Sequence, residues 1–189
     1  MLQLFCKRGG VLIIGITGTF ASGKDTIADY LEEKGFEHFS LSDELREIAK
    51  EKGIDPTRDN LRELGNASRD EFGPDYLPKR VLQRAKSDKV LISSIRQPAE
   101  IEFLKKQEDF ILIGVDAPIE MRFERLKKRN RPGDPRTLEG LKEKEEKEMQ
   151  SKGKNCQKLH QCMQMADFTI ANDGNYQELY KEVDRVLSK

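Results

Sequence analysis

The run Val11-Leu-Ile-Ile-Gly15 and the turn after it, Gly18-Thr-Phe-Ala-Ser-Gly23-Lys24, constrain this chain more than any other segment. A short continuous apolar run reads as a parallel strand buried on both faces. From Asp25 to Lys34, Ile27, Ala28 and Leu31 recur at helical spacing, with Gly35 as a C-cap. Strand, Gly-x-x-x-x-Gly-Lys turn and helix N-terminus in succession make an anion cradle. The glycines let the backbone N–H groups converge, the helix end adds partial positive charge, and Lys24 reaches the β- and γ-phosphates of a nucleotide. Gly18, Thr19, Ala21, Ser22, Gly23, Lys24, Asp25 and Thr26 are therefore expected around ATP, with Lys24 also catalytic through the charge that shifts during transfer. The residue after Lys24 is Asp25, where Ser or Thr normally meets Mg²⁺. Its carboxylate either ligates the Mg²⁺ that accompanies ATP, directly or through water, or simply favours the helix N-terminus.

The remaining chain alternates strands and helices. Strands are expected at 38–41, 89–93, 110–115 and 167–171. Helices are expected at 44–52, 57–72, 76–86, 98–106, 118–129, 138–149 and 176–187, with Ser42 and Asp43 as caps of the first of these. Such alternation predicts a parallel sheet covered on both faces. The 189 residues suffice for one domain and are short for two. With 34 basic and 34 acidic residues there is no net field to attract nucleic acid, and no apolar stretch approaches the length of about 20 residues that a membrane span needs. Residues 1–10 read as a short leader or an upstream start, without a visible role. Three cysteines do not make a disulfide scaffold, so a reducing cytoplasm is the expected location. Cys156, His160 and Cys162 match no common zinc spacing and read as part of a helix.

Beyond the glycine loop, several pieces occur in a recognisable order. Gly23-Lys-Asp-Thr26, Arg62-Glu-Leu-Gly65 with Arg69 and Gly73, and Ser94-Ile-Arg96 with Glu100 resemble the P-loop nucleoside and deoxynucleoside monophosphate kinases, most of all the phage-type deoxynucleoside monophosphate kinases. Asp116-Ala-Pro118 followed by Arg125 and Arg129 looks like the entry to the lid of adenylate kinases. The final Ala171-Asn-Asp-Gly174 is similar to a loop shared with dephospho-coenzyme A kinases. The likeness runs from Ile14 to Leu187. It implies a three-layer P-loop NTPase (nucleotide kinase) fold with a five-stranded parallel sheet and a helical lid. The single domain would divide into a phosphate loop and first helix at 11–35, an acceptor-binding region at about 42–86 and a lid at about 122–150. The resemblance also implies that Arg125 stacks on adenine, that Arg129 approaches the phosphates, and that the loop with Asp173 and Gly174 lies against the adenine ring. Arg62, Arg69 and Arg96 would sit at the acceptor phosphate, with Arg96 and Arg129 also acting in catalysis. Where the family often has Asp, this chain has Ser94, which leaves Asp25 or Asp43 to supply a carboxylate near Mg²⁺.

Arginine suits phosphate oxygens because its planar fork donates bidentately. Arg131 in the lid and Arg46, one turn after Asp43, join the candidates above; Asp43 could orient the acceptor or a metal-bound water, or cap the helix. No Asn-Lys-x-Asp motif reads guanine, and no Asp-x-x-Gly follows the third strand, so the GTPase reading fails. The expected activity is transfer of the γ-phosphate of ATP to a nucleoside or deoxynucleoside monophosphate by a monomer or homodimer. The alternatives are transfer to a hydroxyl, as in dephospho-coenzyme A kinases, and a regulatory module that closes on ATP without turnover.

Overall fold

The computed structural model describes residues 10–131, 133–149 and 158–189, with the backbone alone for 147–149. Cys156 and the leader reading of residues 1–9 lie outside the described residues. The elements are β1 (Leu12–Gly18), α1 (Lys24–Glu33), β2 (Glu37–Ser40), α2 (Leu41–Glu51), α3 (Arg58–Phe72), α4 (Tyr76–Arg84), β3 (Lys89–Ser93), α5 (Pro98–Leu104), β4 (Phe110–Asp116), α6 (Ile119–Arg129), α7 (Leu138–Met149), α8 (Leu159–Gln164), β5 (Phe168–Ala171) and α9 (Tyr176–Leu187).

The five strands form one parallel sheet in the order β2-β3-β1-β4-β5. β1 lies at the centre because it is apolar on both sides, as the sequence predicts. Leu12, Ile14 and Ile16 join the layer closed by Ile27, Ala28 and Leu31 of α1 and by Leu179, Val183 and Val186 of α9. Ile13 faces the opposite layer, packed with α2, α4 and α5 through Leu45, Leu77, Val81, Ile101 and Leu104. Each layer gains about 25 cal/mol per Å² of apolar surface removed from water, which is what holds helices on both faces of a parallel sheet.

Two differences from the sequence reading have simple causes. β1 runs on to Gly18, because Ile16 and Thr17 are fully buried and pair with β4. α2 begins at Leu41, three residues early, so Ser42 and Asp43 lie in its first turn and do not cap it. Ser40 occupies the cap position and makes no side-chain cap hydrogen bond. Leu41 is buried, and burying it outweighs the capping preference of the two residues after it. Residues 159–164 of the Cys/His segment form α8, in which Cys162 is buried against the sheet and its thiol pKa is raised by that burial. Among the described residues no three His, Cys, Asp or Glu gather into a metal site. None of the described helices is long and apolar enough to cross a membrane.

Candidate active site

At the carboxyl ends of the strands, β1 passes into the glycine loop and then into α1. Gly18 (φ 153°) lies against β4, where any Cβ would collide with the Val115 carbonyl. Gly23 (φ 100°) lies against Asn172, whose amide nitrogen would meet a Cβ there. Neither position accepts a side chain. Ala21 takes a left-handed conformation (φ 51°) between them, a local strain of the kind that persists where surrounding contacts enforce it.

Those contacts come from outside the loop. Asn172 Nδ2 donates to the Ser22 carbonyl at 2.7 Å. Arg125 donates through Nη1 to the Ala21 and Ser22 carbonyls at 3.3 and 3.4 Å, and through Nη2 to the Asn172 carbonyl at 2.8 Å. The Phe20 carbonyl accepts from Arg122 at 3.3 Å. Three successive carbonyls of the loop, those of Phe20, Ala21 and Ser22, are thus fixed by side chains from other elements. Thr19 donates to Asp116 Oδ1 at 2.6 Å, which joins the loop to the end of β4. The Lys24 ammonium donates to the Thr19 carbonyl and, at 3.4 Å, to Ser22 Oγ.

The loop opens onto a cavity of about 1000 Å³, the upper end of the range of about 300–1,000 Å³ usual for ligand sites. Of the residues expected around ATP, Ala21, Gly23, Lys24, Asp25, Thr26, Arg125 and Gly174 line it. Gly18, Thr19 and Ser22 build the loop from behind; Thr19 and Ser22 are buried. Asp173 is exposed and outside the lining, while its neighbour Asn172 is buried and holds the loop.

Asp43, Arg46 and Arg96 line the same cavity. Asp43 and Arg46 pair with one another one turn apart on α2. Arg129 and Arg131 also line the cavity. Arg129 is held by Asp134 through two hydrogen bonds of 2.7 and 2.8 Å. That pairing raises the guanidinium pKa; burial pushes the Asp134 carboxyl up, yet the Arg129 contacts hold it below the ordinary value. Arg131 lies 3.7 Å from the Asp25 carboxylate, both well exposed.

Two expected acceptor ligands are elsewhere. Arg69 is buried, 4 % exposed, and donates to Glu100 Oε1 at 3.2 and 2.9 Å beneath the cavity floor. Arg62 pairs with Asp59 at 3.3 Å on the exposed side of α3. Neither lines the cavity. In their place α3 supplies Arg58, whose guanidinium stacks 3.8 Å from the centre of the Phe20 ring, with Arg96 at 5.9 Å from the same ring. Sequence reasoning missed Arg58, Phe20, His38, Asn172, Asp116 and Arg122. Asn172 lies within Ala171–Gly174 and Asp116 opens Asp116–Pro118, so both belong to motifs visible in the sequence.

The strand–loop–helix unit and the doubly covered parallel sheet define a P-loop kinase-like fold, and the solved structures agree: shikimate kinase from Aquifex aeolicus superposes with a TM-score of 0.57 at 17% identity, covering 94% of this chain and 96% of that one. The chain belongs to the family described as AAA domain, whose model matches residues 17–142, and to the UPF0200 proteins. A UPF0200 protein of Hyperthermus butylicus is 30% identical over 181 residues, covering 94% of each chain. A UPF0200/UPF0201 protein of Archaeoglobus fulgidus is 34% identical over 184 residues; the match takes 94% of this chain and 55% of that longer protein.

Proposed function

We propose that the protein is an ATP-dependent phosphotransferase acting on a small acceptor that carries a phosphate group. The observation that carries this reading is the pairing of Lys24, at the start of α1, with a second cationic group, Arg46, Arg58 and Arg96, in the same cavity. Phosphoryl transfer is achieved largely by positioning and by stabilising charge, and arginines lining the same cavity as the phosphate loop supply both. The α6–α7 segment, residues 122–150, is the lid, and 42–86 is the acceptor-binding region. Arg122 fixes the lid's base: it is buried, pairs with Glu145 of α7, and donates to the Ala117 carbonyl at 2.7 Å.

Mg²⁺ fits this site in donor chemistry. The Asp25 carboxylate and the Thr26 hydroxyl are oxygen donors on the cavity wall next to Lys24, and Mg²⁺ prefers a few such oxygens together with phosphate and water. Bound there, the ion would offset phosphate charge, and Asp25 is the residue to hold it. Asp43, fixed by Arg46, would orient the acceptor.

A nucleoside or deoxynucleoside monophosphate is the acceptor that the motif resemblance favours. The withdrawal of Arg62 and Arg69 from the cavity favours the second reading, transfer to a hydroxyl. A cytoplasmic setting suits either. ADP release measured against ribo- and deoxynucleoside monophosphates and dephospho-coenzyme A tests the proposal: stimulation by any one of them supports phosphotransfer. Tight ATP binding with no ADP release from any acceptor would leave only the non-catalytic module.

The two lid arginines should separate kinetically. Arg125 holds the loop and the 172–174 turn on the nucleotide's base side, so Arg125→Ala is expected to raise KM for ATP by about 10-fold or more with a smaller effect on kcat. Arg129, released from Asp134 onto the transferring group, should contribute in the transition state; Arg129→Ala is expected to lower kcat by about 10-fold or more at similar KM. Equal and small effects from both variants would remove the lid role.

A further inference from the structure

His38 of β2 opens onto the floor of the cavity between two partners from different elements. Its Nδ1 lies 2.6 Å from Glu32 Oε1 of α1, and its Nε2 lies 2.8 Å from Ser93 Oγ at the end of β3. Ser93 also lines the cavity and is 7% exposed, whereas the Glu32 side chain is 49% exposed. The register that pairs Ser40 with Ser93 brings β2 and β3 together at this level. An ionised Glu32 can only accept, so Nδ1 carries the hydrogen toward it and the Nε2 lone pair is left to accept from the Ser93 hydroxyl. A chain of carboxylate, imidazole and hydroxyl thus runs from bulk water to the cavity. It ends one residue before Ser94, where a carboxylate is missing from the resembled pattern.

We propose that Ser93, His38 and Glu32 form a proton relay, and that the group attacking the γ-phosphate is accordingly a hydroxyl of a phosphate-bearing acceptor, with water as the slow substitute. A phosphate acceptor has little use for such a relay: with a second pKa near about 6, its attacking oxygen has already lost its proton near neutrality. A hydroxyl must lose one as it attacks. In the step, the acceptor oxygen bonds to the γ-phosphorus and the bond from that phosphorus to the bridging oxygen breaks, its electron pair leaving on ADP. The acceptor hydrogen passes to Ser93 Oγ as Ser93's own hydrogen passes to His38 Nε2. The imidazolium, paired with Glu32, then releases its proton to solvent. The charged groups that line the same cavity are Asp29, Asp25 and Lys24 of α1, Asp43 and Arg46 of α2, Arg58 of α3, Arg96 after β3, and Arg125, Lys128, Arg129 and Arg131; the hydrogen-bond partners of His38 are Glu32 and Ser93.

This inference rests on the phosphotransfer reading, and the test separates the two. With the full chain and saturating Mg-ATP, ADP release is followed from about pH 8 down to about pH 5.5, the range in which histidines titrate. Water alone, dephospho-coenzyme A and nucleoside monophosphates serve as nucleophiles, and ATP affinity is measured separately by calorimetry. The parent should show a rate that falls with falling pH, and faster ADP release with the hydroxyl acceptor than with the monophosphates. His38→Gln and Ser93→Ala should each lower kcat by about 100-fold, flatten the acid limb and leave ATP affinity within about 2-fold; Ser93→Thr should recover much of the loss. Variants that bind ATP and keep both turnover and acid limb would overturn the relay alone, leaving a histidine that ties β2 to β3. The relay also falls if monophosphates are phosphorylated and hydroxyl acceptors are not. A parent that binds no ATP would overturn both readings.

Discussion

Lys24→Ala is expected to lower ADP release at saturating ATP by at least about 100-fold, the usual contribution of one preorganised electrostatic group at a transferring phosphate. The size follows from placement. Lys24 is the first residue of α1 and lines the cavity beside Asp25 and Thr26. Its ammonium rests on the Thr19 carbonyl and the Ser22 hydroxyl, so it stands within the curl of the loop. The loop does not depend on it. Asn172, Arg125 and Arg122 hold its carbonyls, and Asp116 holds Thr19. The variant should therefore melt within a few degrees of the parent while losing turnover. Near-parental turnover in a folded Lys24→Ala protein would end the phosphotransfer reading.

Arg69→Leu should destabilise the fold by about 3–5 kcal/mol, the range for removing one partner of a buried ion pair. Glu100 is fully buried, and each of its oxygens has assigned work. Oε1 accepts from Arg69, while Oε2 accepts the backbone N–H groups of Arg96 and Gln97, both at 3.1 Å. Without Arg69 the buried carboxylate loses its guanidinium partner and keeps the amides of Arg96 and Gln97. For a domain whose total stability is about 5–15 kcal/mol, such a loss is a large fraction. A urea titration reads it directly. The double variant Arg69→Leu with Glu100→Gln should regain part of the loss, since the stranded charge is gone. A cost below about 1 kcal/mol would mean that Arg69 is free to serve a ligand, as its sequence motif suggests. Because Glu100 fixes the amide of Arg96, the single variant should also impair acceptor binding in the molecules that remain folded.

The fold was legible because its signals are local. Val11–Gly15, Lys89–Ser93 and Phe110–Val115 are apolar runs too short for helices, and glycine and lysine mark the loop between the first strand and its helix. The lining of the candidate cavity was legible where a motif fixes a residue against its own backbone, as for Gly23, Lys24 and Thr26. It was not legible where a side chain's role is set by what packs against it. Arg62 and Arg69 fall at helical spacing and look alike in sequence, yet Leu64, Gly65, Ser68 and Arg69 form the buried face of α3, which takes Arg69 into the core and leaves Arg62 in solvent. Arg58 carries no motif; only the fold shows that it lies over Phe20. His38 is an isolated histidine on a short strand, and its two partners come from α1 and β3, so no spacing within the sequence could reveal the chain of three.

The strand order has a consequence for how the molecule is made. β1, which leads into the glycine loop, precedes the other four strands of the sheet in the chain, yet Leu12 pairs with Lys89 and Ile13 with Phe110. Nearly half of the chain must leave the ribosome before the central strand has its first neighbour, β3. Until then Ile13 lacks Ile101 and Leu104 of α5, which complete the layer it enters. Pairings so distant in sequence must overcome loop-closure entropy before they gain anything, which makes parallel sheets of this kind slow to form and prone to aggregation while they wait. The segment most important to the proposed chemistry is thus also the one left longest without its final partners during synthesis.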